Sequence, residues 1–230
     1  KQLNISVTAY AKSIGPVEVS PERMDLAEIQ NNRFCLPDAE AAKAAEDYLD
    51  QKIAECDSVG GVVECVISGL PVGLGEPVFE KLDANLAKAI LSIGAVKGFE
   101  IGDGFAATKA CGSENNDEFR MDGDKIVKET NHAGGVLGGI SDGSDVVFRA
   151  AFKPTPSIAK SQETVTKDGA NIDLVIHGRH DPVVVPRAVV VVESMAAITA
   201  MDMLLMSMTS RLDLIQMFFQ VENVDDSPEQ

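Results

Sequence analysis

Two short segments concentrate side chains that can bind an anion or move a proton. The first, KPTPSI at residues 153–158, combines the ammonium group of Lys153 with the hydroxyl groups of Thr155 and Ser157. Two prolines stiffen this loop, so a phosphate group can bind it without ordering much further chain. A structural turn after a strand explains the same prolines equally well, and both interpretations stay open.

The second segment, GRHDP at residues 178–182, places a guanidinium, an imidazole and a carboxylate in three consecutive residues. Arg179 can hold an anion, and Asp181 can accept a proton or orient a ring nitrogen. Near a protein surface, however, an arginine and an aspartate more often form a simple ion pair. The segment therefore indicates either a proton-transfer site or an ordinary surface contact.

A third segment is rich in glycine. Glycine lets backbone N–H groups approach a ligand where a Cβ atom would clash, so a cofactor contact is one interpretation. A hairpin or a tight chain crossing is the simpler one. The spacing matches neither the dinucleotide-binding fingerprint nor a Walker loop, which argues against a nicotinamide oxidoreductase. The glycines are Gly134, Gly135, Gly138, Gly139 and Gly143.

Composition argues against several classes of partner. The 230 residues contain 20 Lys plus Arg against 36 Asp plus Glu, a formal charge of −16. This acidity argues against a protein that coats nucleic acid or an anionic membrane. The most apolar stretch, 189–205, is interrupted by Glu193 and Asp202, so we expect no membrane span. The four cysteines form no CxxC pair, and we expect reduced thiols in the cytoplasm.

The three histidines give no metal-ligand spacing with a cysteine or a carboxylate, so we expect no metal site. His132 precedes the glycines, and His177 and His180 lie in or beside GRHDP. A polar-ligand role for His132 is one interpretation, and an ordinary hydrogen-bonded histidine is the simpler one.

The elements that must position these segments are interleaved strands and helices. Strands are predicted where apolar residues alternate or run between glycines and prolines, at 3–9, 62–68, 99–101, 105–110, 145–152 and 171–176. Helices are predicted at 21–31, 39–56, 79–93 and from about 186 to 219. The acidic stretch 113–130 is predicted to be a solvated loop. Because no regular strand–helix–strand spacing occurs, we expect an α+β fold with mixed or antiparallel sheets.

Four segments taken together carry a resemblance to a known family. They read GLGEPVFEKLDANLAKAILSIGAVKGFEIGDGF at 73–105, NHAGGVLGGISDG at 131–143, KPTPSI at 153–158 and GRHDPVVVPRA at 178–188. In this order they resemble segments of chorismate synthase, over most of residues 1–210. The resemblance implies that residues 1–220 are the C-terminal portion of such a domain, a β-α-β sandwich whose sheets pack on a helical layer. Residues 221–230 are polar and acidic, and we expect a disordered tail there.

The resemblance also implies an activity. Chorismate synthase converts 5-enolpyruvylshikimate 3-phosphate to chorismate and phosphate by a 1,4-anti elimination. It requires reduced FMN although the reaction has no net redox change, and the family implies a cytoplasmic homotetramer. The family's N-terminal motifs, which include the histidines assigned as acids, have no counterpart in these residues. We therefore expect this chain alone to be inactive; the alternative is a non-catalytic folding or assembly fragment, or a flavin-binding module.

Individual residues take expected roles from the same resemblance. Asp181 corresponds to the family's aspartate that assists proton transfer near the flavin. Gly94 stands where relatives often carry Asn or Pro, so only a backbone contact is expected there. The expected FMN contacts are Gly94, Ala95, Gly138, Lys153, Pro154, Thr155, Pro156, Ser157 and Arg179.

Overall fold

The structure is a computed structural model that describes residues 2–178 and 180–219, except for the side chain of Lys125. Two features of interest from the sequence, Arg179 and the acidic tail at 221–230, lie outside the described residues.

A five-stranded antiparallel sheet forms the centre of the described residues. Its strands lie in the order β2-β1-β3-β9-β4, and every neighbouring pair in it is antiparallel. Three further pairs, β5-β6, β7-β8 and β10-β11, form separate two-stranded hairpins. The strands are β1 Ser6–Ile14, β2 Val17–Glu18, β3 Gly61–Ser68, β4 Val96–Ile101, β5 Phe119–Asp122, β6 Lys125–Lys128, β7 Val136–Leu137, β8 Ile140–Ser141, β9 Val146–Phe152, β10 Gln162–Val165 and β11 Asn171–Leu174.

Helices cover one face of this sheet. Helix α3 packs against β1, β3 and α2, and α2 also packs against β4. The α-helices are α1 Ala39–Ala54, α2 Leu82–Leu91, α3 Val185–Met208 and α4 Leu212–Phe219. Short 3-10 helices span Pro21–Arg23, Leu26–Gln30 and Gly104–Lys109. The predicted α+β class, with antiparallel sheets packed on a helical layer, is confirmed.

Side-chain periodicity explains how sheet and helices share a core. Along β9, Phe148 and Phe152 are buried under the helices, whereas Arg149 and Ala151 face the other side of the sheet. The ring of Phe148 stacks on Phe99 of β4, with centroids 5.3 Å apart. On α2 the buried apolar residues recur every four positions, which makes one stripe facing the sheet. These residues are Leu82, Leu86 and Ile90.

The predicted helix near the C-terminus is divided into two. Helix α3 ends at Met208, a turn follows, and α4 begins at Leu212. By length and composition α3 is apolar enough to cross a membrane, although its inner side forms part of the core here. Its outer side exposes apolar side chains that include Val190, Ile198 and Leu205.

Two other predictions from the sequence were wrong. Where a strand was predicted at 105–110, a 3-10 helix spans Gly104–Lys109, because the chain turns out of β4 at Gly102, whose φ of +54° suits glycine. There, the N–H of Asp103 donates to the carbonyl of His132 over 2.8 Å. The acidic stretch 113–130 contains the hairpin β5-β6 and a buried carboxylate at Asp117.

Truncating the centre of the core tests this packing. We expect Phe148→Ala to lower the free energy of unfolding by about 3–5 kcal/mol, because it removes a fully buried ring and its stacking partner contact. The matched control, Phe105→Ala, removes a ring that is 77% exposed and should change it by less than about 0.5 kcal/mol. Equal losses in urea denaturation would contradict the proposed core.

Candidate functional site

The sheet brings two of the predicted cofactor segments together. Val96 pairs with Phe152 at the end of the β4-β9 ladder, so the turn before β4 lies beside the loop after β9. The N–H of Lys153 donates to the carbonyl of Ala95 over 3.0 Å. Ala95 has a φ of +71°, an uncommon conformation for a residue with a side chain. Gly94, Ala95 and the Lys153 loop therefore form one corner of the sheet.

The side chains of this corner are suited to an anion. Lys153 is exposed, and Thr155 and Ser157 are half-buried. Among residues 2–178 and 180–219, none of these three side chains forms an ion pair or a hydrogen bond to another residue. One ammonium and two hydroxyl groups thus remain available as donors. This donor set fits a phosphate group.

A short segment that carries no motif holds the Lys153 loop in place. The hydroxyl of Ser58 donates to the carbonyl of Thr155 over 2.7 Å. A Cβ atom on Gly60 would lie 2.3 Å from the carbonyl oxygen of Phe152, so only glycine allows this approach. The ammonium of Lys160 lies 2.6 Å from the carboxylate of Asp57 and holds the pKa of that carboxyl below its usual range.

The same segment also holds the loop that carries Asp181. The N–H of Val59 donates to the carbonyl of Pro182 over 2.8 Å, and Val59 forms a parallel bridge with Val183. Residues 57–60 therefore contact both the Lys153 loop and the Asp181 loop. Sequence reasoning missed them, because their contacts join positions about a hundred residues apart.

Asp181 lies in the loop before α3, four residues ahead of Val185. Its carboxylate accepts a hydrogen bond from the guanidinium of Arg187 in the first turns of that helix. Both side chains are substantially exposed. The Nε2–H of His180 donates to the carbonyl of Ile176 over 3.0 Å, since a carbonyl can only accept.

Gly138 lies away from this corner. It occupies the tight turn of the β7-β8 hairpin, where the carbonyl of Gly139 accepts from the N–H of Leu82 at the start of α2. Gly94, in contrast, follows the other end of that helix. The two regions therefore lie at opposite ends of α2, whose ten residues span about 15 Å. The glycine-rich segment forms the hairpin β7-β8, and a cofactor contact at Gly138 stays a prediction.

A buried ion cluster fixes the glycine-rich segment. The carboxylate of Asp117 accepts from the backbone N–H groups of His132 and Ala133 and from the hydroxyl of Thr130. The ammonium of Lys128, 3% exposed, contacts both Asp117 and Asp142. Burial alone would raise the pKa of Asp117, but these hydrogen bonds and the Lys128 charge hold it well below its usual range.

His132 is hydrogen-bonded within the described residues. Its Nδ1 lies 2.7 Å from the Oδ2 atom of Asp103, and His132 borders a cleft of about 680 Å³. This geometry agrees with the simpler interpretation of an ordinary, partnered histidine.

Fold and site together define an α+β protein in which a corner that carries a lysine and two hydroxyl groups lies near a loop that carries a carboxylate. Comparison with known proteins assigns the family: the sequence profile described as "Chorismate synthase" matches residues 1–205. The chain therefore belongs to the chorismate synthase family.

Individual relatives agree with this assignment. The chain is 58% identical over 221 residues to a chorismate synthase of Lachnoclostridium phytofermentans, which covers 96% of this chain and 60% of the relative. It is 60% identical over 218 residues to one of Agathobacter rectalis, with 95% and 59% covered. A crystal structure of chorismate synthase aligns with a TM-score of 0.75 at 28% identity, over 95% of this chain and 62% of that one. The chain spans about 60% of the length of the curated relatives it matches.

Removing the Ser58 hydroxyl tests how the Lys153 loop is held. We expect Ser58→Ala to speed amide hydrogen exchange in residues 153–160 about fivefold, because one hydrogen bond is worth about 1 kcal/mol. Ser92→Ala, which removes an exposed hydroxyl bonded to its own helix, is the control. Unchanged exchange in residues 153–160, measured by mass spectrometry, would exclude Ser58 as a positioning residue.

The Asp117 cluster predicts a pH-dependent effect. A carboxyl with a lowered pKa stabilises the folded state above its unfolded-state pKa of about 3.9, and the stabilisation is lost as pH falls through the folded value. We expect Asp117→Asn to cost about 2 kcal/mol at pH 7, and the gap to wild type to narrow below about pH 4. Urea titrations at both pH values, with exposed Asp124→Asn as control, measure the gap. A gap that stays constant with pH would contradict this role.

Proposed function

We propose that this chain is the part of a chorismate synthase that binds FMN and carries the proton-transfer aspartate. The reaction is the 1,4-anti elimination of phosphate from 5-enolpyruvylshikimate 3-phosphate to give chorismate, with reduced FMN and no net redox change. The observation that carries the proposal is the unpartnered donor set of Lys153, Thr155 and Ser157, one short segment away from the Asp181 loop.

In this proposal the corner of the sheet binds the cofactor's phosphate. Lys153 supplies a positive charge, and Thr155 and Ser157 supply hydroxyl donors. Pro154 and Pro156 keep the loop stiff, and Gly94 and Ala95 contact the cofactor through their backbone. Reduced flavin, when bound, supplies electron density while phosphate leaves the substrate. Arg179 is assigned to the same anion on the family resemblance, and Gly138 to a cofactor contact.

Asp181 is proposed to accept and return a proton beside the reacting atoms. The guanidinium of Arg187 contacts this carboxylate and favours one orientation of it. The contact is exposed, so water or a ligand can reach the carboxylate without unfolding the loop. An exposed arginine–aspartate contact also fits a simple ion pair, so the proposed proton-transfer role rests on the family resemblance of the GRHDP segment.

We propose further that this chain alone does not turn over substrate. It corresponds to about 60% of the length of its relatives, and it holds only 20 basic residues against 36 acidic ones. A phosphorylated, doubly carboxylated substrate needs more local positive charge than one lysine. The exposed apolar outer side of α3 supports packing against a further part of such an enzyme.

The remaining proposals concern assembly and location. We propose a homotetramer in the cytoplasm that contacts neither nucleic acid nor membrane. The charge of −16 disfavours binding to phosphate-rich surfaces. Helix α3 carries Glu193 and Asp202, and its inner side packs on the sheet, which favours a core helix over a membrane span.

Flavin titration tests the cofactor site. We expect the chain to quench FMN fluorescence, and Lys153→Gln to weaken the affinity about 10–100-fold because a charge-assisted contact to phosphate is lost. Lys167→Gln is the matched control, because Lys167 is an exposed lysine in the β10-β11 turn. Equal affinities for the two variants would remove Lys153 from the site.

The same samples separate the competing functions. We expect no release of phosphate from 5-enolpyruvylshikimate 3-phosphate under reducing conditions. Flavin binding without phosphate release supports a flavin-binding part of the enzyme, whereas absence of both supports a folding or assembly fragment. Phosphate release by this chain alone would contradict the proposed inactivity.

A further inference from the structure

The face of the central sheet opposite the helices carries two parallel rows of side chains. Both rows run across four strands, because the register places their members side by side. The first row consists of residues with small side chains, and we call the surface that they form the floor. The second row is mostly charged and borders that floor. The small row is Ser13, Val62, Ala151 and Gly98, and the charged row is Tyr10, Glu64, Arg149 and Glu100.

Two irregularities in the sheet place a lysine at each end of the small row. The register shifts between Ala11 and Ser13 on β1 and between Val96 and Gly98 on β4. The extra residues at these bulges are Lys12 and Lys97. A bulge changes the direction of a side chain and is a typical feature of a binding site. The floor is therefore bordered by a cation on two sides.

The ammonium groups of Lys12 and Lys97 differ in whether a carboxylate lies beside them. Lys12 lies 3.4 Å from the carboxylate of Glu64, which also accepts a hydrogen bond from Tyr10 over 2.5 Å. Lys97 is exposed and forms no ion pair within the described residues. Lys97 is thus the cation with the most capacity for an incoming anion.

Arg149 adds a third cation with an unused donor. Its Nη2 donates to the carbonyl of Gly102 over 2.6 Å and lies 3.3 Å from Glu100. Its Nε has no hydrogen-bond partner within the described residues, although it is buried. A buried N–H without an acceptor is unfavourable. A ligand oxygen that replaces the Gly102 and Glu100 contacts of Arg149 could accept from this N–H and would gain binding energy from it.

The space above the floor is large and has an exposed aromatic ring at its border. It encloses about 710 Å³, and Phe105 borders it, whereas the ring of Phe99 packs on Phe148 on the helical face of the sheet. Glu18 and Glu100 also line it, so the border is mixed in charge. The three cations Lys12, Lys97 and Arg149 balance the three acids Glu18, Glu64 and Glu100, so the groove is less acidic than a chain with a net charge of −16.

We propose that this groove binds a planar, anionic aromatic ligand. The ring lies over Ala151 and Gly98, where a larger side chain would fill the space, and the acidic group contacts Lys97 and Arg149. Arg149, Ala151 and Lys153 follow one another on the same face of the strand and the loop after it, so the groove leads to the Lys153 corner. The ligand is either the ring of a flavin whose phosphate is held at Lys153 or an independent aromatic acid, and the two sources share this chemistry.

The first experiment titrates the chain with 1-naphthyl phosphate, and separately with inorganic phosphate. We expect saturable binding of the aromatic probe and at least tenfold weaker binding of phosphate alone, because the ring contributes through the floor. We expect Ala151→Leu to weaken binding of the aromatic probe at least tenfold by filling the floor, and Lys97→Gln to weaken it about three- to tenfold.

Controls come from the hairpin β10-β11, which is separate from the groove. Ala170→Leu and Lys167→Gln make the same chemical changes at exposed positions there and should leave the affinity unchanged. If circular dichroism shows that Ala151→Leu does not fold, the affinity of the exposed Lys97→Gln variant for the aromatic probe tests the proposal instead. No saturable binding to wild type, or equal binding to the groove and hairpin variants, overturns the proposal.

Competition with FMN identifies the source of the ligand. FMN that displaces the probe and is itself weakened by Ala151→Leu places the flavin ring in the groove. FMN that binds without displacing the probe makes the groove a site for a separate aromatic acid; this also separates failure of the flavin proposal from failure of the groove. If Ala151→Leu changes only the sedimentation coefficient of the chain, the face is a contact between copies and the proposal is wrong.

Discussion

The antiparallel pairing of β9 between β3 and β4 is the constraint on which the other features depend. The C-terminal end of β9 places the start of the Lys153 loop beside the turn at Ala95. The N-terminal end of β9 contacts the glycine-rich segment. Its inner face supplies Phe148 and Phe152 to the core, and its outer face supplies Arg149 and Ala151 to the groove. A shift of one residue in this register would exchange the two faces and remove the core, the corner and the groove together.

Residues 57–60 make a second link that periodicity does not reveal. They join the Lys153 loop and the Asp181 loop through one hydroxyl, one backbone N–H and one close approach of glycine. A single short segment therefore holds the Lys153 loop, with its hydrogen-bond donors, in a fixed position relative to the loop that carries the Asp181 carboxylate. Fixed spacing of this kind would serve the proposed elimination, because positioning contributes a large part of catalysis.

Local patterns in the sequence predicted much of the fold but little of the long-range geometry. Asp38 was identifiable as a helix start, and it accepts from the N–H groups of Glu40 and Ala41. The apolar stripe of α2 and the alternation on β9 were equally local. The turn at Gly102 was not, since the chain leaves β4 there through a contact with His132, thirty residues later. Ser58 likewise acts through Thr155, and no motif in its own neighbourhood signals that contact.

The position of Gly138 limits how the cofactor residues implied by the family can act together. Gly138 lies in the β7-β8 hairpin beside the start of α2, whereas Lys153 contacts Ala95, which follows the end of that helix. A single ligand held at Lys153 must therefore extend along α2, whose ten residues span about 15 Å, to meet Gly138 of the same chain. The packing of α2 on the sheet thus decides which of these residues one ligand can reach, and the order of motifs in the sequence does not.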